Sequence, residues 1–132
     1  MDIAPSVAQR LVSLARRARE NAYAPYSGYL VGAAVLAEDG RTFVGCNVEN
    51  SSYGLTICAE RNAVAAAVAA GARPTAVAVV AADRDVVPCG ACCQVLAEFA
   101  GDMPVILAAT DGDDRRVTPL SAFLPSAFRF RR

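Results

Sequence analysis

The chain has 132 residues, 55% of them hydrophobic and 20% charged, so we expect one folded domain over residues 1–132 rather than a disordered chain. Its 13 acidic and 13 basic side chains cancel, which argues against nucleic acid or an anionic membrane as a partner. His is absent and every basic side chain is Arg, so a His base, a Schiff-base Lys and a His metal ligand are excluded.

The first 57 residues predict a helix, a β-hairpin and a loop. After Ser6, an expected N-cap, apolar residues recur at helical spacing and indicate an amphipathic helix of about four turns that ends before Pro25. Residues 29–36 and 41–46 predict two strands that pair across a turn at 38–41. Residues 47–57 show no clear period and predict a loop.

The rest of the chain alternates helices with apolar strands. We predict an Ala-rich helix over 58–70, a strand over 75–82 that is buried on both faces, and a helix over 89–100. The last predicted elements are strands at 104–108 and 115–118, a short helix with an irregular stretch at 120–128, and a mobile tail at 129–132. Helices that cross between apolar strands predict a three-layer α/β/α sandwich on a mixed five-stranded sheet.

Neither a secretory signal nor a membrane span is predicted. Residues 1–5 have no basic region followed by an apolar one, and the apolar stretch 63–82 is interrupted by Gly71 and Pro74. A spanning helix needs about 20 continuous apolar residues. Five cysteines, an odd number with two of them adjacent, make a poor disulfide framework, so we expect reduced thiols and a cytoplasmic protein.

Two of the cysteines form a Cys-X-X-Cys pair at the start of a predicted helix. Cys89 and Cys92 follow Pro88, and their spacing puts both sulfurs on one helical face. The helix amides and dipole favour the thiolate form. A metal site is one interpretation, and a thioredoxin-like redox pair is another.

A third cysteine opens the other predicted helix. Cys58 follows a loop, as Cys89 does, and both helices are expected to start at one edge of the sheet. Three thiolates with an open fourth position are typical of catalytic rather than structural zinc. A structural zinc module would need a fourth ligand, which could be only Cys46, Cys93 or a carboxylate.

Glu60 discriminates between these interpretations. Residues two apart on an ideal helix are separated by about 200°, so Cys58 and Glu60 converge only if Cys58 sits at the very start of the helix. A Glu in the first turn can then face the solvent ligand of the metal without binding the metal. The alternative is a carboxylate that merely complements the helix dipole.

These motifs resemble a known family. Cys58-Ala59-Glu60 followed by Pro88-Cys89-Gly90-Ala91-Cys92 is similar to the three-cysteine signature of zinc deaminases. Over about residues 21–128 the chain resembles the small homotetrameric cytidine deaminases of nucleoside salvage. Further blocks carry that resemblance in the family's order, namely residues 23–27, 31–34, 45–50, 53–54 and 124–128.

The resemblance implies the cytidine-deaminase-like form of the α/β/α sandwich and a hydrolytic reaction. Cys58, Cys89 and Cys92 would hold one Zn²⁺ per subunit, and cytidine or deoxycytidine would lose ammonia to give the uridine product. Glu60 would take a proton from the attacking water and return protons to the ring and the departing amine. Arg61 would donate hydrogen bonds to the thiolates and offset their negative charge.

The resemblance also implies substrate contacts. Asn47 and Glu49, which alternation places on one side of an extended segment, would hold the ribose 3′ hydroxyl. Tyr29 stands where the family usually stacks a Phe on the pyrimidine, and Ala59 would also contact substrate. Tyr53 and Phe128 match positions that reach into a neighbouring subunit's site of a homotetramer.

The sequence departs from the family at Cys93, where an Arg is usual, and several alternatives stay open. Packing in the core or between subunits would equally explain Tyr53 and Phe128. A blasticidin-S-type deaminase shares the three-cysteine site and the chain length, although residues 47–50 and 23–27 favour a nucleoside substrate. The chain has no basic stripe with interleaved aromatic residues, which disfavours editing of nucleic acid.

Overall fold

A computed structural model describes residues 3–130, over which three α-helices and five strands form one layered structure. The helices are α1 (Pro5–Arg19), α2 (Ala59–Ala69) and α3 (Gly90–Ala97). The strands are β1 (Val31–Ala37), β2 (Thr42–Cys46), β3 (Pro74–Ala81), β4 (Pro104–Ala109) and β5 (Arg115–Pro119). Single 3₁₀ turns occur at Tyr53–Leu55 and Leu120–Ala122.

The five strands form one mixed sheet in the order β2-β1-β3-β4-β5. Only β3 and β4 run parallel within the described residues, and α3 makes the crossover between them. The hairpin β1–β2, the pair β1–β3 and the pair β4–β5 are antiparallel. The mixed five-stranded sheet predicted from the sequence is therefore confirmed.

Helices cover both faces of the sheet, which confirms the three-layer architecture. Along β3, Val77 and Val79 point into a core shared with α2 and α3, whereas Ala78 and Val80 point into a core shared with α1. Because successive strand residues face opposite sides, a strand between two helical layers must be apolar throughout. This explains the unbroken apolar run of β3, which was predicted to be buried on both faces.

The structure corrects two local predictions, at the start of α1 and at the end of α3. Ser6 is not the N-cap of α1, because the helix already begins at Pro5, where a missing N–H costs nothing, and Ala4 is the cap residue. Helix α3 ends at Ala97, and the next N–H groups, of Glu98 and Phe99, bond three residues back instead of four. The short helix and irregular stretch predicted over residues 120–128 are confirmed, the helix being one 3₁₀ turn.

Of the predicted C-terminal tail, Arg129 and Phe130 are exposed and without regular structure, and residues 131 and 132 lie outside the described part of the chain. The helices between residues 3 and 130 are all too short or too polar to cross a bilayer.

Gly45 lets α2 lie directly on β2. A Cβ atom at this position would be 2.5 Å from both the Ala59 carbonyl oxygen and the Ala63 amide nitrogen, so no side chain fits without displacing the helix. The first turn of α2, which carries Cys58 and Glu60, is therefore seated by a strand residue that has no side chain.

Replacing Gly45 by Ala is expected to lower the free energy of unfolding by about 1–3 kcal/mol, because the helix backbone must move to admit the methyl group. Gly54→Ala is the matched control, since a Cβ there meets no atom within 4 Å. Its effect should stay within about 0.5 kcal/mol. Urea denaturation of both variants measures the difference, and equal stabilities would contradict the close packing at Gly45.

Candidate active site

The N-termini of α2 and α3 meet at one edge of the sheet. The end of β3 at Ala81 pairs with the start of β1 at Val31, and the end of β2 at Cys46 pairs with Gly32. The segments after β2 and β3 leave the sheet at this edge and return as α2 and α3. Cys58 and Cys89 are the N-cap residues of these two helices, so the predicted convergence is confirmed.

Three cysteine sulfurs lie together at this edge. The Sγ atoms of Cys58, Cys89 and Cys92 all lie within 4.8 Å of one another, with 3.8 Å between Cys58 and Cys89 and 3.4 Å between Cys89 and Cys92. Sulfurs bound to one tetrahedral zinc at about 2.3 Å are separated by about 3.8 Å. The donor set and its spacing therefore fit Zn²⁺.

The group has three potential ligands rather than four. Within residues 3–130, no further thiol or carboxylate lies within 4.8 Å of all three sulfurs. Cys93 lies on α3 and points into the core, with its Sγ 3.9 Å from the Pro88 carbonyl oxygen, and Cys46 lies at the end of β2. A zinc ion held by these three sulfurs would keep a fourth position for solvent or substrate, as a catalytic site requires.

Arg61 supplies positive charge to the sulfurs. Its Nη2 donates to Cys58 Sγ at 3.5 Å, and the negative sulfurs in turn raise the pKa of the guanidinium. A hydrogen bond from the Cys92 thiol and the Arg61 contact lower the pKa of Cys58 to about 5, against the opposing effect of burial. The hydrogen bond that the Cys92 thiol makes to Cys58, and then burial, raise the pKa of Cys92. Cys58 is thus held as the thiolate that binds metals.

Glu60 lies beside the sulfurs and is almost completely buried. It is the second residue of α2 and 4% exposed, which satisfies the condition that Cys58 precede the regular helix. Burial, and then the nearby Cys58 thiolate, raise the pKa of Glu60 to about 7. A carboxyl group that exchanges its proton near neutral pH is suited to general acid–base chemistry.

Asn47 and Glu49 hold the 23–31 segment against the end of β2. Asn47, 8% exposed, accepts from the Val31 N–H at 2.9 Å and donates to the Tyr29 carbonyl at 2.7 Å. Glu49 accepts from the Tyr26 and Ser27 amides at 2.9 and 3.1 Å and from the Ser27 hydroxyl. The hydroxyl contact is the main cause of the lowered pKa of Glu49.

The aromatic residues predicted at the substrate are accessible. Burial raises the pKa of the Tyr29 phenol, and the Asp83 and Glu60 carboxylates raise it further. Tyr53 and Phe128 are 73% and 72% exposed, so neither packs in the core of its own chain. Ala59, in contrast, is fully buried as the first residue of α2.

An open cleft of about 370 Å³ adjoins Glu49 and Tyr53. Its other lining residues are Tyr26, Ser27 and Thr56, which were not predicted as site residues. The Tyr26 and Tyr53 rings meet edge to face with centroids 5.6 Å apart. The sequence pointed to Tyr26 and Ser27 only through the block at residues 23–27 that resembles the family. Their place in the site depends on their hydrogen bonds to Glu49, which the sequence does not indicate.

The chain is similar to known proteins in both sequence and structure. The sequence model of a family described as the cytidine and deoxycytidylate deaminase zinc-binding region matches residues 5–109. Cytidine deaminase from Sporosarcina psychrophila is 50% identical over 123 residues, which cover 91% of this chain and 90% of the relative. Cytidine deaminase from Mycobacterium tuberculosis strain H37Rv is 47% identical over 118 residues, covering 86% and 84%.

Solved structures agree with these sequence matches. The crystal structure of cytidine deaminase from Burkholderia pseudomallei matches with a TM-score of 0.84 and 50% identity, over 91% of this chain and 98% of the other. That of the Mycobacterium tuberculosis enzyme matches with a TM-score of 0.77 and 41% identity, over 92% and 97%. A three-cysteine site on this fold, together with sequence identity along almost the whole length, places the chain in the cytidine and deoxycytidylate deaminase zinc-binding family.

Proposed function

We propose that this protein is a zinc-dependent cytidine deaminase that converts cytidine and deoxycytidine to uridine and deoxyuridine with release of ammonia. The observation that supports this proposal most strongly is the group of three sulfurs of Cys58, Cys89 and Cys92. The buried carboxylate of Glu60 lies beside them but is not a fourth member of the group. A structural zinc module would need a fourth ligand at this place. A redox pair would need neither Cys58 nor Glu60.

Zinc held by the three cysteines would supply a Lewis acid that makes water acidic enough to attack near neutral pH. Three thiolates carry more negative charge than the cation neutralises, which weakens this effect. Arg61, at 3.5 Å from Cys58 Sγ, and the amide ends of α2 and α3 offset part of the excess. The site would therefore keep the high zinc affinity of thiolate ligands, and these positive groups would limit the loss of acidity of the attacking water.

Glu60 is the residue we assign to proton transfer. It takes one proton from the attacking water and passes it to ring N3 as the C4–O bond forms. It then takes the remaining proton of the new C4 hydroxyl and delivers it to the exocyclic amine, so that ammonia leaves as the C4–N bond breaks and the C4 carbonyl forms. Its buried position keeps bulk water from competing for these protons. The raised pKa of Glu60 supports both roles, because the carboxyl group gives up and regains a proton near neutral pH.

The nucleoside is assigned to Asn47, Glu49 and Tyr29, whereas Ala59, also predicted at the substrate, is fully buried and offers no atom for a direct contact. Asn47 and Glu49 already bind the 23–31 segment, and each keeps spare capacity, namely a second amide N–H and further carboxylate lone pairs, for the ribose 3′ hydroxyl. The Tyr29 ring is exposed and close enough to Glu60 to feel its charge, which supports stacking on the pyrimidine.

We also propose a homotetramer whose subunits share their sites, in the cytoplasm and in pyrimidine salvage. Several large apolar side chains are exposed, among them Tyr53, Leu55 and Phe128. A contiguous patch of such side chains marks an interaction surface, and assembly would cover it. All five cysteines are free, which suits a reducing compartment. Sedimentation velocity tests the assembly, and a monomer at assay concentration would contradict it.

The function is tested on the wild-type protein by zinc analysis and by loss of cytosine absorbance. We expect one zinc per chain and turnover of cytidine and deoxycytidine, but not of free cytosine, which lacks the ribose. Faster turnover of blasticidin S would favour the aminohydrolase alternative. Zinc without any turnover would indicate a structural module, and the absence of zinc with a titratable Cys89–Cys92 couple would indicate a redox protein.

Replacing Arg61 by Ala is expected to weaken zinc retention about 10- to 100-fold, because the thiolates lose their hydrogen-bonded cation. Competition against a chromogenic chelator measures the change. Arg73→Ala serves as the control, since Arg73 is an exposed residue that donates to the Ala72 carbonyl rather than to a sulfur. Unchanged zinc affinity and unchanged turnover in Arg61→Ala would remove Arg61 from the mechanism.

A further inference from the structure

The loop that delivers Cys89 is fixed by a side chain from the edge strand β5. We call residues 82–89, which join β3 to α3, the ligand loop. Arg116 lies on β5 opposite Leu107 of β4, and its Nη2 donates to the carbonyl oxygens of Arg84 and Val86, both at 3.0 Å. A guanidinium Nη2 has two N–H bonds, so each carbonyl receives one of them.

Three further contacts show which part of the ligand loop is held by its own residues and which part is held by Arg116. Near its start the loop bonds to itself, since Asp83 accepts from the Asp85 N–H at 2.8 Å and from the Val86 N–H at 3.3 Å. The Arg84–Asp114 ion pair, at 2.6 Å, is highly exposed and contributes little. Val86 is packed into the core below α3, and its carbonyl bond to Arg116 is partly shielded from water. Arg116 thus fixes the backbone three residues before Cys89.

Cys89 is the sulfur that most needs such support. Cys92 is fully buried and Cys58 is half-buried and held by Arg61, but Cys89 is exposed at the end of the ligand loop. Loops are more mobile than the elements that they connect, so we expect the exposed ligand at the end of a loop to be the first to detach from a metal ion. Restricting the movement of that loop slows the first step of release.

We propose that Arg116 is a positioning residue of the metal site, which holds the ligand loop through the Arg84 and Val86 carbonyls and thereby slows loss of Cys89 from the metal. The inference rests on the proposed zinc site. It extends the site beyond the residues that touch the sulfurs, to a side chain on β5. This strand is one of the two outer strands of the sheet, and β2 is the other.

The neighbouring residue offers a matched control. Arg115 precedes Arg116 on β5 and faces the other side of the sheet, where it donates to Gln9 Oε1 at 3.0 Å and to the Pro5 carbonyl at 3.2 Å, both on α1. Arg115→Met and Arg116→Met each remove one guanidinium and keep an apolar stem. Arg116→Lys retains N–H donors on a shorter side chain.

The experiment measures the rate at which zinc passes from the loaded full-length proteins to an excess of a chromogenic chelator, together with the melting temperatures of the metal-free proteins. We expect Arg116→Met to release zinc roughly fivefold faster than the wild type, below the 10- to 100-fold effect on affinity of groups that touch a ligand directly. Arg116→Lys should recover part of the slow release, and Arg115→Met should release zinc at the wild-type rate.

Equal rates for Arg116→Met and the wild type would overturn the proposal. So would equal acceleration in the Arg115 and Arg116 variants, or an acceleration matched by a fall in the metal-free melting temperature, because either result indicates general destabilisation. Zinc analysis of the wild type separates this inference from the proposed function: a wild type without zinc refutes both, whereas a zinc-loaded wild type with an unaltered Arg116 variant refutes only the role of Arg116.

Discussion

Glu60→Gln is expected to lower kcat by about 10³- to 10⁴-fold while the protein keeps its zinc and its fold. General acid–base catalysis contributes about 10²- to 10⁴-fold, and a residue that acts as both base and acid belongs at the upper end. Gln has the shape of Glu and remains uncharged, so it fits a buried position that already penalises the charged carboxylate. It can neither take nor return a proton.

The measurement combines cytidine turnover with zinc analysis of the same samples. Glu98→Gln is the control, because Glu98 is the exposed C-cap residue of α3 and its loss should leave kcat unchanged. Turnover above about one tenth of wild type in Glu60→Gln would exclude Glu60 as the proton carrier. Loss of zinc from this variant would instead identify Glu60 as a fourth protein ligand, which would leave no coordination position for water.

The architecture could be predicted because its main signals are local. The apolar run that became β3 has no polar residue from Ala76 to Ala81, and only a strand between two helical layers buries such a run completely. The helix starts at Cys58 and Cys89 then follow from the loops before them. Prediction failed at two helix ends. At the start of α1, Pro5 takes the first helical position in place of the residue after a Ser6 cap. At the end of α3, the bonding changes to the tighter 3₁₀ pattern after Ala97, a change that no residue type in the sequence indicates.

The site could be predicted only where its residues are close in sequence or carry a motif. Cys58 and Glu60 share one helix turn, and Cys89 and Cys92 share another, so spacing alone relates them. The hydrogen bonds from Ser27 to Glu49 and from Arg116 to Val86 join residues 22 and 30 positions apart. No pattern in a single sequence encodes such pairs, since either partner alone is an ordinary polar residue of a loop or an edge strand.

Cys92→Ala is expected to lower zinc affinity by more than about 100-fold, beyond the range for groups that only support a ligand. Two sulfurs would remain to hold the ion, one of them on the exposed Cys89. Cytidine turnover should fall in proportion to the zinc that is lost. Zinc content after gel filtration in metal-free buffer measures the first effect, and the cytosine absorbance assay measures the second.

Cys93→Ala is a closely matched control for this change. Cys93 is the next residue on α3 and 1% exposed, so its removal costs about the same packing as that of Cys92. Its sulfur, however, faces the Pro88 carbonyl at 3.9 Å and lies outside the group of three. Both variants should therefore lose similar stability in the metal-free form, and only Cys92→Ala should lose zinc. Equal zinc loss in both would make Cys93 a fourth ligand and would convert the proposed catalytic site into a closed structural one.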